Sequence, residues 1–248
     1  LTLEEVKEVL DVAEATSTPL QVGSIYRFCR GARLVKQALE ENWLGSLRAF
    51  ELEGNFADTN PMASGFAWDK GQAGGGTLVD IGSLALDLLC WWLGEPVDVL
   101  YKDDSLGGVE CECELWLVLQ TTDGPVEGRI ILSRLRKLRN VARVEGEKFA
   151  IEYGLQSARG EVRISLVRTG ERLSFVPDAL TLPLQTWGDL FAEQLRSFVR
   201  AISTGSKPIV SGESALPSLA LIEMCYRRRQ PLELPWAGEE DNDPILVM

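Results

Sequence analysis

Two periods of hydrophobic spacing alternate along this chain, and the switch between them organises it. Val6, Val9, Leu10 and Ala13 recur at helical spacing behind Thr2, whose distance from Glu5 is that of a capping box, so a helix is predicted from Thr2 until Thr16 to Pro19 end it. LQVGSIYRF from Leu20 reads as a strand, Ala32 to Trp43 as an amphipathic helix closed by Gly45, and Leu47 to Leu52 as a second strand. Asn55 to Gly76 collects Gly, Pro, Asn, Asp and Ser around Phe56, Phe66 and Trp68. It reads as a long loop of the kind that carries function. A helix is expected from about Thr77 to Gly94, with Pro96 blocking its continuation.

From Val97 to Val176 the period becomes two: VDVLY, CECELWLVL, PVEGRIIL, NVARVEG, FAIEY, VRISLV and RLSFV, separated by turn signals such as DGP, GEK and RTG. This predicts a run of antiparallel strands. In Cys111 to Leu119 every odd position is apolar, while the even ones pass from Glu112 and Glu114 to Trp116 and Val118, so one face meets helices and the other is partly wet. Helices over Thr186 to Ser203 and Ser211 to Arg228, then a short PLELPW strand, complete the pattern. The expected fold is α+β: a large, mostly antiparallel open sheet with helices packed on one face, over residues 1–236. Residues 237–248 read as an acidic, mobile tail.

Composition narrows the function. The chain has 248 residues, with 25 Lys and Arg against 37 Asp and Glu, a formal net charge of −12. Such a field opposes polyanions, so nucleic acid and anionic membranes are not expected partners. The apolar run Leu84 to Leu93 is interrupted by Asp87 and is too short to span a bilayer. The N-terminus lacks the regions of a signal peptide, and the absence of an initiator Met at Leu1 leads us to expect a preceding segment. Cys29, Cys90, Cys111, Cys113 and Cys225 are odd in number, lack zinc-site spacing and have no histidine to join them, since the chain contains none. Buried reduced thiols, no bound metal and a cytoplasmic location are the expectation.

The candidate chemistry lies in Gly74 to Gly94, GGGTLVDIGSLALDLLCWWLG, where a triple glycine runs into a helix bearing Asp80 and Asp87. This segment resembles the Gfo/Idh/MocA oxidoreductases, whose C-terminal domain carries GGG-x-L-x-D-x-G-x-H-x-x-D. Every glycine and both aspartates match; Leu84 stands where the family has histidine. Tyr26-Arg27-Phe28 resembles the family's Arg-Phe element near the substrate, and Lys207-Pro208, Ser211-Gly212-Glu213 and Ala215 resemble its closing helices.

The resemblance implies a sugar, polyol or nucleotide-sugar substrate, and NAD or NADP for a full-length enzyme with a Rossmann domain in front. There a lysine works with the signature's Asp and His. No Gly-x-Gly-x-x-Gly opens a βαβ unit here, so this chain alone is expected to bind no cofactor. Leucine cannot take a proton from a substrate hydroxyl, which weakens the expectation of activity and leaves a free-standing, non-catalytic binding or assembly module as the alternative. Family members usually associate through the open sheet face. With Trp116 and Val118 placed there, that implies a homodimer or tetramer.

Each candidate residue carries two readings. By the resemblance Asp80 is the catalytic carboxylate; by position it is also a first-turn aspartate complementing the helix dipole. Arg27 has the planar fork to hold a substrate carboxylate or phosphate, and equally to form an ion pair. Tyr26 and Trp68 offer faces for a sugar ring or for the core. Asp87 reads as structural. The cluster Arg134, Arg136, Lys137, Arg139 and Arg143 suits nucleotide-sugar phosphates, or pairing with carboxylates such as Glu112 and Glu114 across a subunit contact.

Overall fold

The structure is a computed structural model that describes residues 2–55, 65–155, 158, 160–173 and 185–233. The predicted capping box is present: Thr2 accepts from Glu5 and begins helix α1, Leu3–Ala15. Yet no residue of α1 is buried, so its apolar stripe has no complete partner among the described residues. The strand expected over Leu20 to Phe28 does not form. Only Gln21 makes a bridge, to Ser211, while Ile25–Phe28 winds into a 3-10 turn that buries Ile25, Tyr26, Arg27 and Phe28 together. Period-two patterning needs a neighbouring strand to become a ladder. Among the described residues the partner at Gln21 is a single bridge and not a strand, and the turn buries Ile25, Tyr26, Arg27 and Phe28.

Helix α2 (Arg30–Glu40) leads into strand β1 (Leu47–Asn55). The described part of the predicted loop contains a 3-10 turn at Gly65–Trp68 and one helical turn, α3 (Lys70–Ala73), capped by Asp69. Phe56 lies outside the described residues. The signature then enters helix α4 (Ser83–Leu93). Strands follow at β2 (Glu95–Asp103), β3 (Glu112–Thr121), β4 (Gly124–Ser133), β5 (Val141–Gly146), β6 (Phe149–Gly154) and β7 (Val162–Leu166). RLSFV contributes only an isolated bridge from Arg172 to Ser165 among its described residues. Helices α5 (Trp187–Thr204) and α6 (Leu216–Arg227) follow, and the described part of the PLELPW segment begins in a two-residue strand β8, Gln230–Pro231, the rest of the expected strand lying partly outside the described residues. The acidic tail lies outside the described residues.

The sheet has eight strands in the order β7-β6-β5-β1-β4-β3-β2-β8. It is mostly antiparallel, as expected, with one correction: β1 inserts between β5 and β4 and runs parallel to β4, as β8 does to β2. One face is apolar, carrying Phe50, Leu52, Leu115, Leu117, Leu119, Ile130, Leu132 and Val144, all buried beneath α2 and α4. Each such side chain contributes about 1.5–3 kcal/mol of transfer free energy. The Trp92 indole N–H donates to the Ala32 carbonyl at 3.0 Å and ties α4 to α2. The segment Lys70–Leu93, interrupted at the glycines, is, against the sequence expectation, long and apolar enough by composition to cross a membrane; 72% of its most apolar window is buried inside the fold, as a core helix requires.

Candidate functional site

The signature does not enter α4 as an ordinary helix. Leu78–Gly82 forms a π turn first, a widened geometry that is rare and often found at functional sites. Asp80 lies in this turn, its side chain 65% exposed and ion-paired with Arg134, whose side chain is only 10% exposed.

What holds the turn is Glu110, which the sequence pattern did not single out. Its carboxylate is sealed from solvent and accepts from the Gly76 N–H at 2.9 Å, the Leu78 N–H at 3.1 Å and the Tyr226 hydroxyl at 2.7 Å. The Thr77 N–H donates to the Glu110 carbonyl at 2.9 Å. Arg229 supplies the counter-charge, with Nη2 3.4 Å from Glu110 and Nε 2.6 Å from the equally buried Asp103. Burial, and then the Glu110 charge, push the Tyr226 hydroxyl far above the usual tyrosine range, so it stays a donor. This network explains the glycines. A Cβ on Gly75 would lie 2.1 Å from the Tyr226 hydroxyl oxygen, and one on Gly76 2.0 Å from the Glu110 carbonyl oxygen. No local signal marks Glu110, because its partners lie 32 to 119 positions away.

Leu84 sits one turn beyond Asp80 and packs against the core. Asp87 and Trp91 continue its face at the third and seventh positions. Here Arg27 closes on Asp87: Nε to Oδ2 at 2.9 Å and Nη2 to Oδ1 at 2.6 Å, with Nη2 also donating to the Ser214 carbonyl at 3.0 Å. Both side chains are 5% exposed, and the guanidinium lies 5.6 Å over the Trp91 ring. Arg27 is therefore on a buried turn, not a strand end, and its fork is already filled by Asp87, which is structural as expected. Tyr26, buried beside it, meets Trp187 with ring centroids 6.1 Å apart. Burial first, then Cys29, push its hydroxyl up to about 12. Trp68 is 56% exposed on the turn before α3. Among the described residues no hydrogen bond or ring contact joins it to the others.

Most of the basic cluster is paired with carboxylates of the same chain. Arg136 pairs with Glu112 at 2.6 Å, Arg139 with Glu53 at 2.9 Å, Arg143 with Glu145 at 2.7 Å, and neighbouring Arg129 with Glu114 at 2.8 Å. The carboxylate pairing foreseen in sequence is thus made within the chain. Little charge remains there for the phosphates of a nucleotide-sugar.

The described residues do not fit a dinucleotide cradle. The one glycine-rich helix entrance has its close-approach space filled by Tyr226 and Glu110, and its free N–H groups already face the Glu110 carboxylate, an internal anion where a phosphate would otherwise bind.

Known proteins share this fold. The curated inositol 2-dehydrogenase of Rhizobium meliloti (strain 1021) is 24% identical over 238 residues, 92% of this chain and 68% of its own. The crystal structure of aldose-aldose oxidoreductase from Caulobacter crescentus, complexed with glycerol, superposes with a TM-score of 0.76 at 23% identity, covering 92% of this chain and 66% of that one. Levoglucosan dehydrogenase in complex with NADH and levoglucosan gives 0.75 at 20% identity, covering 92% and 69%. The chain thus spans about two thirds of the length of these relatives. A family profile described as "Oxidoreductase family, C-terminal alpha/beta domain" matches residues 36–234. With the signature helix, its glycine-packed entrance and the eight-stranded sheet in place, the chain belongs to the Gfo/Idh/MocA oxidoreductase family.

Proposed function

We propose that this chain is the substrate-binding and assembly part of an NAD(P)-dependent oxidoreductase of sugars or polyols, with the nucleotide bound by a domain outside residues 1–248. The observation that carries the reading is Asp80: a signature carboxylate on a π turn, exposed at the surface and charge-paired by Arg134. A carboxylate so placed accepts hydrogen bonds from substrate hydroxyls. Residues 1–35 precede the family match, and α1 buries nothing, while α5 leaves Trp187, Phe191, Leu195, Val199 and Ile202 exposed. Such a surface suits a further domain. In this reading residues 1–236 form one unit, residues 237–248 stand outside it, and exposed Trp68 borders the substrate, while Tyr26 and Arg27, both buried, support that side of the fold from behind rather than touching it.

The complementary test is calorimetric. A panel of neutral polyols is expected to bind the chain weakly and to lose binding in Asp80→Ala, while NADH and NADPH do not bind. Micromolar NADH binding by this chain, or polyol binding indifferent to Asp80, defeats the proposal. The alternative, a non-catalytic binding or assembly module, is favoured by Leu84, whose core packing leaves no proton carrier in the family's histidine place.

The open sheet face is the proposed self-association surface. Trp116 and Leu100 are exposed there over a shallow cavity of about 460 Å³, with Lys102 and Arg129 flanking the Trp116 ring at 5.8 and 5.4 Å. A homodimer or tetramer would cover it. The five free cysteines, four of them buried, accord with a reducing cytoplasm.

A further inference from the structure

Asp80 and Arg134 belong to different elements, yet both are tied to the same two residues of chain, Glu110 and Cys111. The Glu110 carboxylate accepts from the Gly76 N–H at 2.9 Å, and the Gly76 carbonyl in turn accepts from the Asp80 N–H at 3.0 Å. Two hydrogen bonds thus join the Glu110 side chain to the Asp80 backbone. One residue on, the Cys111 carbonyl accepts from the Arg134 N–H at 2.8 Å. The exposed carboxylate and the guanidinium that pairs with it are therefore fixed from two consecutive residues just before β3.

The π geometry of Leu78–Gly82 makes this tie matter. A π turn holds about one residue more than an α turn, and each residue advances a helix by about 100°, so relaxation to α geometry would turn Asp80 by as much as that angle relative to α4. The far end of the turn cannot absorb the change: a Cβ on Gly82 would lie 2.8 Å from Leu132 Cδ1, so that end is packed onto β4. At the near end Glu110 Oε1 receives the Gly76 and Leu78 N–H groups while Oε2 faces Arg229. Glu110 itself is sealed from solvent, so it acts only through the turn.

We infer that Glu110 is the positioning residue of this site: by spanning from Arg229 to Gly76 it keeps the turn in π geometry and Asp80 facing Arg134. The role requires reach more than charge, because the span is what sets the position of Gly76. Its value for substrate rests on Asp80 being the substrate carboxylate proposed above; the placement of Asp80 does not.

Amide hydrogen exchange followed by NMR reads the placement with no ligand present. In the wild-type chain the Gly76, Leu78 and Asp80 amides are protected together. Glu110→Asp keeps the charge but withdraws the carboxylate by one methylene, and their exchange should quicken about tenfold or more while the β4 amides keep their protection. Glu110→Gln keeps the reach and one acceptor oxygen, and should leave them within about twofold of wild type. Calorimetry with neutral polyols reads the consequence: about tenfold weaker binding in Glu110→Asp, wild-type affinity in Glu110→Gln, and wild-type affinity in Leu117→Ala, which costs stability in the sheet core without touching the turn. Free exchange of the Gly76 and Leu78 amides in the wild-type chain, or greater damage from Glu110→Gln than from Glu110→Asp, overturns the assignment. So does a loss of polyol affinity in Leu117→Ala equal to that in Glu110→Asp. A wild-type chain that binds no polyol defeats the reading of Asp80 as a substrate carboxylate, and the exchange result then decides its placement alone.

Discussion

Replacing Asp87 with alanine is the most demanding perturbation the structure offers. The Arg27–Asp87 pair is 5% exposed on both sides, so solvent cannot take over the charge left behind. Removing one member of a buried pair typically costs about 3–5 kcal/mol, because the survivor keeps its desolvation penalty and loses its partner. Trp91 and the Ser214 carbonyl still contact Arg27, but neither carries a negative charge. At about 2–4 °C per kcal/mol for a chain of this length, the melting temperature should fall by roughly 6–20 °C. The double variant Arg27→Met with Asp87→Leu removes both charges and fills the space. It should recover most of the loss, leaving about 1 kcal/mol for the Ser214 carbonyl without its donor. Urea denaturation followed by circular dichroism measures all three proteins. A loss under about 1 kcal/mol in Asp87→Ala, the behaviour of an exposed pair, or a double variant as damaged as the single one, would refute the reasoning.

Glu110→Ala strips the acceptor from two backbone N–H groups and the Tyr226 hydroxyl and leaves Arg229 half-paired; chemical denaturation should show a loss of about 3–5 kcal/mol, against about 1 kcal/mol for Tyr226→Phe. Tyr26 holds its proton to about pH 12 in the folded chain, against 10.0 ordinarily, so its contribution is intact below pH 10 and is lost as pH climbs from about 10 towards 12, by up to about 2–3 kcal/mol; Tyr26→Phe should flatten that part of a stability-against-pH curve. Trp116→Glu places a charge in the centre of the open sheet face and should reduce the mass seen in light scattering to that of one chain with the circular dichroism unchanged; a wild-type protein that is already monomeric at micromolar concentration removes the self-association proposal.

Local order was written plainly in the sequence. Thr2 and Glu5 made their capping box, the alternation in Cys111 to Leu119 put Leu115, Leu117 and Leu119 in the core and Trp116 outside, and the glycine-led signature began its helix where expected. These features depend on neighbours within a few positions, where side-chain direction follows from backbone period alone. Leu20 to Phe28 failed because a strand exists only with a partner strand, and among the described residues it meets no more than the single bridge from Gln21 to Ser211. The parallel pairing of β1 with β4 was equally out of reach, since it joins Ala49 to Glu127 across most of the sheet's sequence.

The charged residues divide in the same way. Sequence placed Asp80 and Leu84 in the signature and expected the arginines after Ser133 to meet carboxylates across a subunit contact, whereas the pairs form within the chain. It had no means of finding Glu110, whose partners come from the glycine turn and the end of α6, or of knowing that Asp87 was reserved for Arg27 60 positions earlier. Periodicity reports which face of an element turns inward, and that is enough to determine the layers of this fold. Which charges meet once those faces close is decided by tertiary packing, because a buried ion pair forms only where the fold excludes water from both members at once.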